Sequence, residues 1–300
     1  MAALLAKEAA DDKSDKGSRA CTVTCIIVPI RDFSPSDIQF QSLLDRLNDS
    51  EIRRIKKFRF KIDAYRSMLG RYIIRKMILN SSIDCKNYDK FLLRSKNNKP
   101  YLDTKSMALE VMDCKHKDQW NNFNFNVSHH GMCVAGVSSS DVLVGVDVMT
   151  YEYPKGCKSV EEFFQLMRRS FSESEWSLIY SSGTTEQSQL KTFYQLWSLK
   201  ESYIKAIGVG LGVDLKTIEF QFGGEERTEL PNMATLIKDG IEMKQWNFFV
   251  HYPDDEHVVS VAVGPLKESV DISLGEIDPP KYDRHEVHYK ILSCNELVGN

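Results

Sequence analysis

The pattern of apolar and polar positions changes between a strand period and a helical period along the chain. A β-branched run from Cys21 to Val28 predicts a first strand, and apolar residues spaced three or four apart predict a long helix over residues 64–79. A strand, a long helix and further strands follow in this order twice, over residues 21–125 and 126–264. We therefore predict an α+β fold of two similar subdomains with mostly antiparallel sheets, each with a long packed helix.

A polar stripe runs along one predicted strand, residues 123–130. Its apolar residues alternate with amides and a serine, Asn126 and Ser128 among them, so one face of the strand is apolar and the other is polar. The strand ends in two histidines, His129 and His130. This segment is the first place where polar side chains enter an otherwise apolar framework.

The two apolar runs that follow, residues 132–137 and 142–149, predict an antiparallel pair of strands. Asp147 lies near the end of the second run, where an aspartate is costly unless a cation or hydrogen-bond donors satisfy it. Capping of a turn and binding of a ligand both fit this residue. The further predicted elements are helices at 159–168 and 172–181 and strands at 217–222, 246–251 and 257–263.

The helix predicted over residues 190–207 carries three charged residues close together. Lys200 falls in the middle of the apolar stripe, where a charge must reach solvent, find a partner or meet a ligand. Glu201 and Lys205 are four residues apart on the polar edge, which fits either an exposed ion pair or part of a site. The glycines at 208–212 predict a C-cap and a turn, because a phosphate loop would precede a helix instead of following one.

With 300 residues, 42% of them hydrophobic, the chain can bury one large core or two smaller ones. A formal net charge of −3 gives no overall basic field for nucleic acid or an anionic membrane, so any anion site must be local. The most basic segment is Arg53–Lys61, in which Phe58 and Phe60 are interleaved. Such a run is typical of a solvated helix face. Docking of an acidic protein remains open, whereas the net charge disfavours nucleic-acid binding.

Seven cysteines without a CxxC pair or zinc-type spacing predict reduced thiols, no structural disulfide and a cytoplasmic location in the cytosol. The N-terminal segment has no apolar run long enough for secretion, and its early acidic residues disfavour a mitochondrial presequence. No stretch approaches the roughly 20 apolar residues of a membrane span. We predict a disordered tail at residues 1–20 and a polar C-terminal extension at residues 265–300, with one weak strand near 287–292.

Three polar features thus lie on otherwise apolar elements. They are Ser128 and His129 at a strand end, Asp147 on a strand, and Glu201 with Lys205 on a helix. Two carboxylates can hold Mg²⁺, which prefers oxygen ligands and keeps several waters. Basic side chains can bind phosphates, and a carboxylate near the metal can accept a proton. The combination fits a metal-assisted phosphoryl transfer site.

The order and spacing of these motifs resemble those of the 4′-phosphopantetheinyl transferase superfamily. Gly145–Asp147 and, about fifty residues later, Trp197–Ala206 are similar to its two signature motifs. Phe123–His129 resembles an upstream motif of the larger, surfactin-synthetase-activator-like branch. The run Lys200–Gly212 is similar to the animal members, and the likeness covers residues 21–264.

The resemblance implies two subdomains related by a pseudo-twofold axis, with coenzyme A as co-substrate in the cleft between them. It implies that Asp147 and Glu201 bind Mg²⁺, and that Glu201 or a metal-held water deprotonates the acceptor serine. His129 and Lys205 would act with Glu201 in catalysis by holding phosphates, and Lys200 would face a phosphate or lie behind the site. The residues implied for binding coenzyme A, besides His129, Glu201 and Lys205, are Arg54, Arg94, Lys99, Asn126, Val127 and Ser128.

The implied reaction moves 4′-phosphopantetheine from coenzyme A to a serine of apo acyl- or peptidyl-carrier domains and releases 3′,5′-ADP. The resemblance implies carriers of the fatty acid synthase and aminoadipate dehydrogenase types, a monomer, and neither nucleic acid nor membrane as partner. Two positions depart from the family pattern. Met149 stands where bacterial members have a glutamate, and His130 where animal members have an amide. A second hypothesis stays open, a non-catalytic module that binds coenzyme A, a nucleotide or a carrier protein and uses Arg53–Lys61 as its surface.

Overall fold

The computed structural model describes residues 20–81, 88–110, 120, 122–222, 234–270 and 284–299. Within these ranges the chain forms twelve strands and eight α-helices. The strands are β1 (Ala20–Pro29), β2 (Leu92–Arg94), β3 (Pro100–Leu102), β4 (Asn124–His130), β5 (Cys133–Ser139), β6 (Leu143–Thr150), β7 (Ile218–Phe222), β8 (Ala234–Lys238), β9 (Ile241–Glu242), β10 (Asn247–Asp254), β11 (His257–Gly264) and β12 (Arg284–Ile291). The helices are α1 (Asp37–Leu44), α2 (Asp49–Ile55), α3 (Lys61–Asn80), α4 (Thr104–Glu110), α5 (Val160–Leu166), α6 (Glu173–Ser181), α7 (Glu186–Ile207) and α8 (Cys294–Val298).

Two larger sheets form the framework of the molecule. The first has the strand order β12-β1-β5-β4 and the second β10-β11-β6, while β2-β3 and β7-β8-β9 form smaller sheets. Among the described strands every pairing is antiparallel except that of β1 with β12. The predicted α+β fold with mostly antiparallel sheets is confirmed.

The predicted antiparallel pairing of the two apolar strands is wrong. β5 pairs with β1 and β4, whereas β6 pairs with β11 in the other sheet. The second edge of β6 faces the polar side of β4, whose side chains accept its backbone N–H groups. The apolar pattern identified both strands, but it cannot show which strand pairs with which edge.

Each of the two larger sheets carries a long helix. Helix α3 packs on β4 and β5, and helix α7 packs on β6 and β11. Gly145 on β6 permits the second contact, because a Cβ there would lie 2.1 Å from the carbonyl oxygen of Ser202 on α7. A further core lies between the sheets, where apolar residues of β1 and β5 pack with those of β6 and β11. Helix α7 therefore lies directly on the strand that carries Asp147.

The C-terminal segment completes the first sheet. β12 adds to that sheet parallel to β1, with Val287 opposite Val23, and Leu297 and Val298 of α8 belong to the core under α3. The weak strand predicted near residues 287–292 is confirmed. Within the predicted extension, this strand and α8 are therefore part of the folded domain.

Several smaller predictions meet the structure in different ways. The basic segment is not one continuous helix, because residues 56–60 are exposed and offer no apolar stripe, so α2 ends at Ile55 and α3 begins at Lys61. The region 103–121, predicted to have little pattern, contains α4 in its described part. The proposed subdomain boundary after residue 125 falls inside β4. Of the predicted disordered tail, all but Ala20 lies outside the described residues.

The described residues also bear on the cysteines and on membrane insertion. Five cysteines lie in the described ranges, and all are free thiols: Cys21, Cys25, Cys133, Cys157 and Cys294. Among the helices of these ranges, none combines the length and the apolar character that a membrane crossing requires.

Candidate functional site

Asp147 on β6 and the α7 residues Glu201 and Lys205 form the centre of the candidate site. Asp147 is only 4% exposed, and its Oδ1 accepts hydrogen bonds from Lys205 Nζ at 2.5 Å and from Ser128 Oγ at 2.9 Å. Lys205 Nζ also donates to Ser128 Oγ at 2.8 Å. The fold thus brings together a strand end, a second strand and a helix that are far apart in the sequence.

Two carboxylate oxygens at this centre, Asp147 Oδ2 and Glu201 Oε1, are buried without a hydrogen-bond partner among the described residues. Burial raises the pKa of Glu201 and the negative charge of Asp147 raises it further, while Lys205 opposes the shift. Buried carboxylate oxygens without donors are costly unless a cation binds them. The pair fits Mg²⁺, which takes one or two protein carboxylates and completes its shell with waters and phosphate oxygens.

A third protein ligand is not evident at this centre. In the described part of the chain, no three His, Cys, Asp or Glu side chains lie together in a group that could hold a metal ion. Met149, two residues after Asp147, is partly buried and packs on the apolar core around α7. A cation bound here would rest on two carboxylates and would need further oxygens from water or substrate.

A ladder of side-chain acceptors joins the polar side of β4 to the edge of β6. Successive acceptors are two residues apart on β4, and the N–H groups that they accept are two residues apart on β6. Because Ser128 belongs to this ladder, its hydroxyl is held beside Asp147 on the facing strand. The pairs are Asn124 with Val144, Asn126 with Val146, Ser128 with Val148 and His130 with Thr150, at donor–acceptor distances of 3.0–3.2 Å.

The ladder also locates three residues predicted to bind the nucleotide. It occupies the side-chain oxygen Oδ1 of Asn126 and one lone pair of the Ser128 hydroxyl. Val127 points to the opposite face, where its Cγ1 lies 3.4 Å from the position that a Cβ on Gly70 of α3 would occupy. Nucleotide binding by this segment stays a prediction, and the Val127 side chain is placed for packing on α3.

The two histidines at the end of β4 have different surroundings. His129 is exposed, yet partial desolvation, followed by the positive charges of Lys205 and Arg66, lowers its pKa. His130 Nδ1 accepts the N–H of Thr150, so this nitrogen carries no proton, and burial lowers the pKa of the ring. At neutral pH both rings are therefore neutral, and His129 can donate one N–H to an anion.

The turn between β2 and β3 carries the predicted nucleotide-binding residues Arg94 and Lys99. Arg94 Nη1 donates to the carbonyl of Asn98 at 2.6 Å. Lys99 Nζ donates to the carbonyl of Lys205 at 2.8 Å, and Asn97 Nδ2 donates to that of Gly208 at 2.8 Å. The turn therefore binds the C-terminal end of α7, where unpaired carbonyls attract a cation. This contact connects the turn beside Arg94 to α7, the helix that carries Glu201 and Lys205.

Comparison with known proteins agrees with these motifs. Residues 31–141 match the N-terminal domain of 4′-phosphopantetheinyl transferases, and residues 143–262 match the 4′-phosphopantetheinyl transferase superfamily. An L-aminoadipate-semialdehyde dehydrogenase-phosphopantetheinyl transferase of Mus musculus is 34% identical over 89% of this chain and 82% of its own length. The chain belongs to the 4′-phosphopantetheinyl transferase superfamily.

Other relatives of this transferase carry similar names. The Homo sapiens L-aminoadipate-semialdehyde dehydrogenase-phosphopantetheinyl transferase is 33% identical over 89% of this chain and 82% of its own length. A phosphopantetheinyl transferase of Thraustochytrium sp. is 37% identical over 77% of this chain and 75% of its own length. The predicted family, its enzymatic activity and the likeness to animal members are confirmed.

Lys200 of this transferase is paired inside the protein, so of the two alternatives predicted for it, facing a phosphate or lying behind the site, the first is wrong. Its Nζ lies 2.7 Å from Glu175 Oε2 and also donates to the carbonyls of Leu215 and Ile218. The ammonium lies 5.0 Å from the centroid of the Phe171 ring. Burial lowers the pKa of Lys200 and raises the pKa of Glu175, and their pairing opposes both shifts. The charge of Lys200, predicted in the apolar stripe of this helix, is thus paired with Glu175 inside the protein.

Three residues of this transferase have electrostatic roles that the sequence did not indicate. Glu175 belongs to the capping box at the start of α6, and its side chain also binds Lys200. Arg66 donates to the carbonyl of Gly131 in the turn after β4. Arg71 lies close enough to Arg94 for its charge to lower the pKa of Arg94. A charged residue on the apolar face of a helix is the signal that could have identified Arg71, which shares α3 with many buried residues.

Proposed function

We propose that this transferase moves the 4′-phosphopantetheine group from coenzyme A to a serine hydroxyl of apo acyl-carrier domains, with release of 3′,5′-ADP and with Mg²⁺ as cofactor. The observation that carries this proposal is the pair of buried oxygens without donors, Asp147 Oδ2 and Glu201 Oε1. They lie beside Lys205, which already neutralises Asp147. A phosphoryl transfer site needs this combination, because its catalysis consists mainly of positioning and charge neutralisation.

Asp147 and Glu201 would hold the metal ion. When bound, Mg²⁺ would supply positive charge to the pyrophosphate of coenzyme A. Lys205 would then leave Asp147 and donate to a pyrophosphate oxygen, with His129 donating its N–H to a second oxygen. Arg54, with Arg94 and Lys99, would bind the 3′-phospho-adenosine end, and Asn126 to Ser128 would line the strand end beside the nucleotide.

In the transfer step, the serine oxygen would attack the β-phosphorus of coenzyme A in line with the bridging oxygen. The new bond joins that phosphorus to the serine oxygen, and the bond to the bridging oxygen breaks, so that 3′,5′-ADP leaves with the electron pair. Glu201 or a metal-held water would accept the serine proton. Lys205 would stabilise the charge that develops on the leaving group.

The decisive experiment is mass spectrometry of an apo carrier domain incubated with coenzyme A, Mg²⁺ and this protein. We expect the carrier to gain one phosphopantetheine, and a carrier with alanine in place of its acceptor serine to gain none. Metal chelation should stop the transfer and added Mg²⁺ should restore it. Binding of coenzyme A without any mass gain on fatty acid synthase-type or aminoadipate dehydrogenase-type carriers would instead support the non-catalytic hypothesis.

The carrier would approach over the basic segment Arg53–Lys61. Phe58 and Phe60 are 44% and 60% exposed there, and the arginines and lysines around them give a positive surface that suits an acidic domain. Charge reversal by Arg53→Glu with Lys57→Glu should lower the association rate of the carrier about tenfold at low salt and less at high salt. Unchanged association kinetics, measured by stopped flow with a fluorescent carrier, would rule this surface out.

Two further expectations come from the sequence. We expect this transferase to act in the cytosol, and to do so as a monomer. Light scattering after size exclusion would test the second expectation, and fractionation of cells that produce the protein would test the first.

A further inference from the structure

Arginines of three different elements converge near the turn between β2 and β3. Both oxygens of Asn98 accept hydrogen bonds there: the carbonyl from Arg94 Nη1 at 2.6 Å and Oδ1 from Arg54 Nη2 at 3.4 Å. Asn98 has a φ of 65°, a left-handed conformation that asparagine adopts more readily than most residues. The third arginine is Arg71 on α3, whose side chain is 14% exposed.

The three guanidinium groups are close enough to repel one another. Burial, and then the charges of Arg71 and Arg54, lowers the pKa of Arg94 to about 10. Burial also lowers the pKa of Arg71; Glu51 opposes this shift, and Arg54 and Arg75 add to it. An arrangement of like charges in a half-buried place is unfavourable unless an anion joins it.

The nearest carboxylates are already engaged elsewhere. Glu51 binds Arg75 through both oxygens, at 3.2 Å from Nη1 and 2.7 Å from Nη2, and Asp89 binds the same arginine at 2.8 Å. Arg71 Nε lies 3.8 Å from Glu51 Oε1, beyond hydrogen-bond distance, and is buried without a hydrogen-bond partner in the described part of the chain. Arg71 therefore keeps a donor that none of the described residues satisfies.

Counting charges indicates which anion fits. With Arg75 included, the arginine cluster holds four guanidinium groups against two carboxylates, so two positive charges are left uncompensated. The cluster consists of Arg54, Arg71, Arg75 and Arg94 with Glu51 and Asp89. A phosphate monoester carries close to two negative charges at neutral pH, and its oxygens match the fork of an arginine. Each phosphorus of a pyrophosphate diester carries only one charge. The monoester of coenzyme A is its 3′-phosphate.

We propose that Arg71 is a specificity-determining residue that binds the 3′-phosphate monoester of the nucleotide co-substrate. The inference rests on the proposed function, which makes coenzyme A that co-substrate, and it adds a residue that the family motifs of this chain do not contain. The turn that holds Arg94 is also the turn that binds the end of α7 through Lys99 and Asn97. Occupation of the arginine cluster is thereby connected to the helix that carries Glu201.

The test measures binding of two probes to the full chain by calorimetry: adenosine 3′,5′-bisphosphate and adenosine 5′-monophosphate. The wild-type protein should bind the bisphosphate more tightly, and Arg71→Met should reduce that preference about 10- to 100-fold, as expected for a charge-assisted hydrogen bond. Arg71→Lys should restore part of it. Arg169→Met removes the same charge from an exposed position outside the arginine cluster and should leave the preference unchanged.

A structural role for Arg71 predicts a different result. If Arg71 served mainly to neutralise Glu51, Arg71→Met would lower the melting temperature. We expect the melting temperature to stay equal or to rise, because the substitution removes repulsion between arginines. Equal loss of affinity for both nucleotides, no change in either, or a wild-type protein without preference would each overturn the proposal.

This result is separable from that of the transfer assay. A protein that prefers the bisphosphate through Arg71 but modifies no carrier would leave the inference intact and contradict the proposed function. The opposite outcome is a protein that modifies carriers but whose relative efficiency with coenzyme A and its 3′-dephospho form is the same with and without Arg71. That outcome would support the proposed function and contradict the inference about Arg71.

Discussion

Lys200 and Glu201 are neighbours on α7, yet they belong to two buried charged regions that differ in one respect. The Lys200–Glu175 pair is complete, because three acceptors face the Lys200 ammonium and both Glu175 oxygens accept donors. The region around Asp147 and Glu201 leaves two oxygens without donors from the residues that the structure describes. A satisfied buried pair stabilises one arrangement of the chain, whereas an unsatisfied one has room for a ligand. Burial of a charge therefore does not by itself identify a functional site. Buried charged groups whose hydrogen bonds are left unmade do.

The largest effect should come from removing a charge at the incomplete region. Asp147→Asn or Glu201→Gln should lower the rate of phosphopantetheine transfer by about 10³-fold, since each removes a negative group expected to hold the metal ion. For Glu201→Gln, stability should remain equal or increase, because the negative charge of Asp147 disfavours the charged form of Glu201. Initial rates and urea unfolding measure the two quantities, with Glu242→Gln as an exposed control. Full activity in either variant would contradict the assignment.

Removing a charge from the complete region should affect stability first. Lys200→Met leaves Glu175 buried and unpaired, so the free energy of unfolding should fall by about 3–5 kcal/mol. Adding Glu175→Leu to that variant should return about 1–3 kcal/mol, because the two residues interact directly. Urea unfolding gives these values, and Lys216→Met is the exposed control. A stable Lys200→Met protein that has lost only transfer would place Lys200 in the catalytic centre after all.

Loss of one hydrogen bond from the ladder between β4 and β6 should have a smaller effect on stability than loss of the Lys200 charge. Asn126→Ala should lower the free energy of unfolding by about 1–3 kcal/mol, because it leaves the N–H of Val146 buried without an acceptor. The measurement is urea unfolding together with the KM for coenzyme A, and Gln221→Ala serves as an exposed control. A higher KM at unchanged stability would show that Asn126 acts on the nucleotide and not on the sheet.

The smallest effect concerns the pH dependence of stability. The pKa of His130 is lowered in the folded protein, so the unfolded chain binds protons more readily and stability falls as the pH drops from 7 towards 5. His130→Asn keeps an acceptor for the N–H of Thr150 but cannot be protonated. The loss of unfolding free energy between these pH values should therefore shrink by up to about 1 kcal/mol. An identical loss in both proteins would show that His130 is not involved.

Much of the secondary structure could be predicted from the sequence, because it depends on local periodicity. The alternation around Asn126, the helix ending at Gly208 and the strand carrying Asp147 are all present as predicted. The prediction failed where partners far away in the chain decide the outcome. The clearest case is the predicted pairing of β5 with β6, which the structure does not have. Side-chain amides of β4, instead of a neighbouring strand, accept the N–H groups along that edge of β6.

For this protein, the sequence alone determined the family and the motifs, since residue type and spacing carry that information. Only the tertiary structure decided which charge acts where. Lys200 and Lys205 lie on one helix, yet the partner of Lys200 comes from α6 and those of Lys205 come from β6 and the end of β4. The free energy of a buried charge depends on the donors and acceptors around it, and these are brought there by distant segments of the chain.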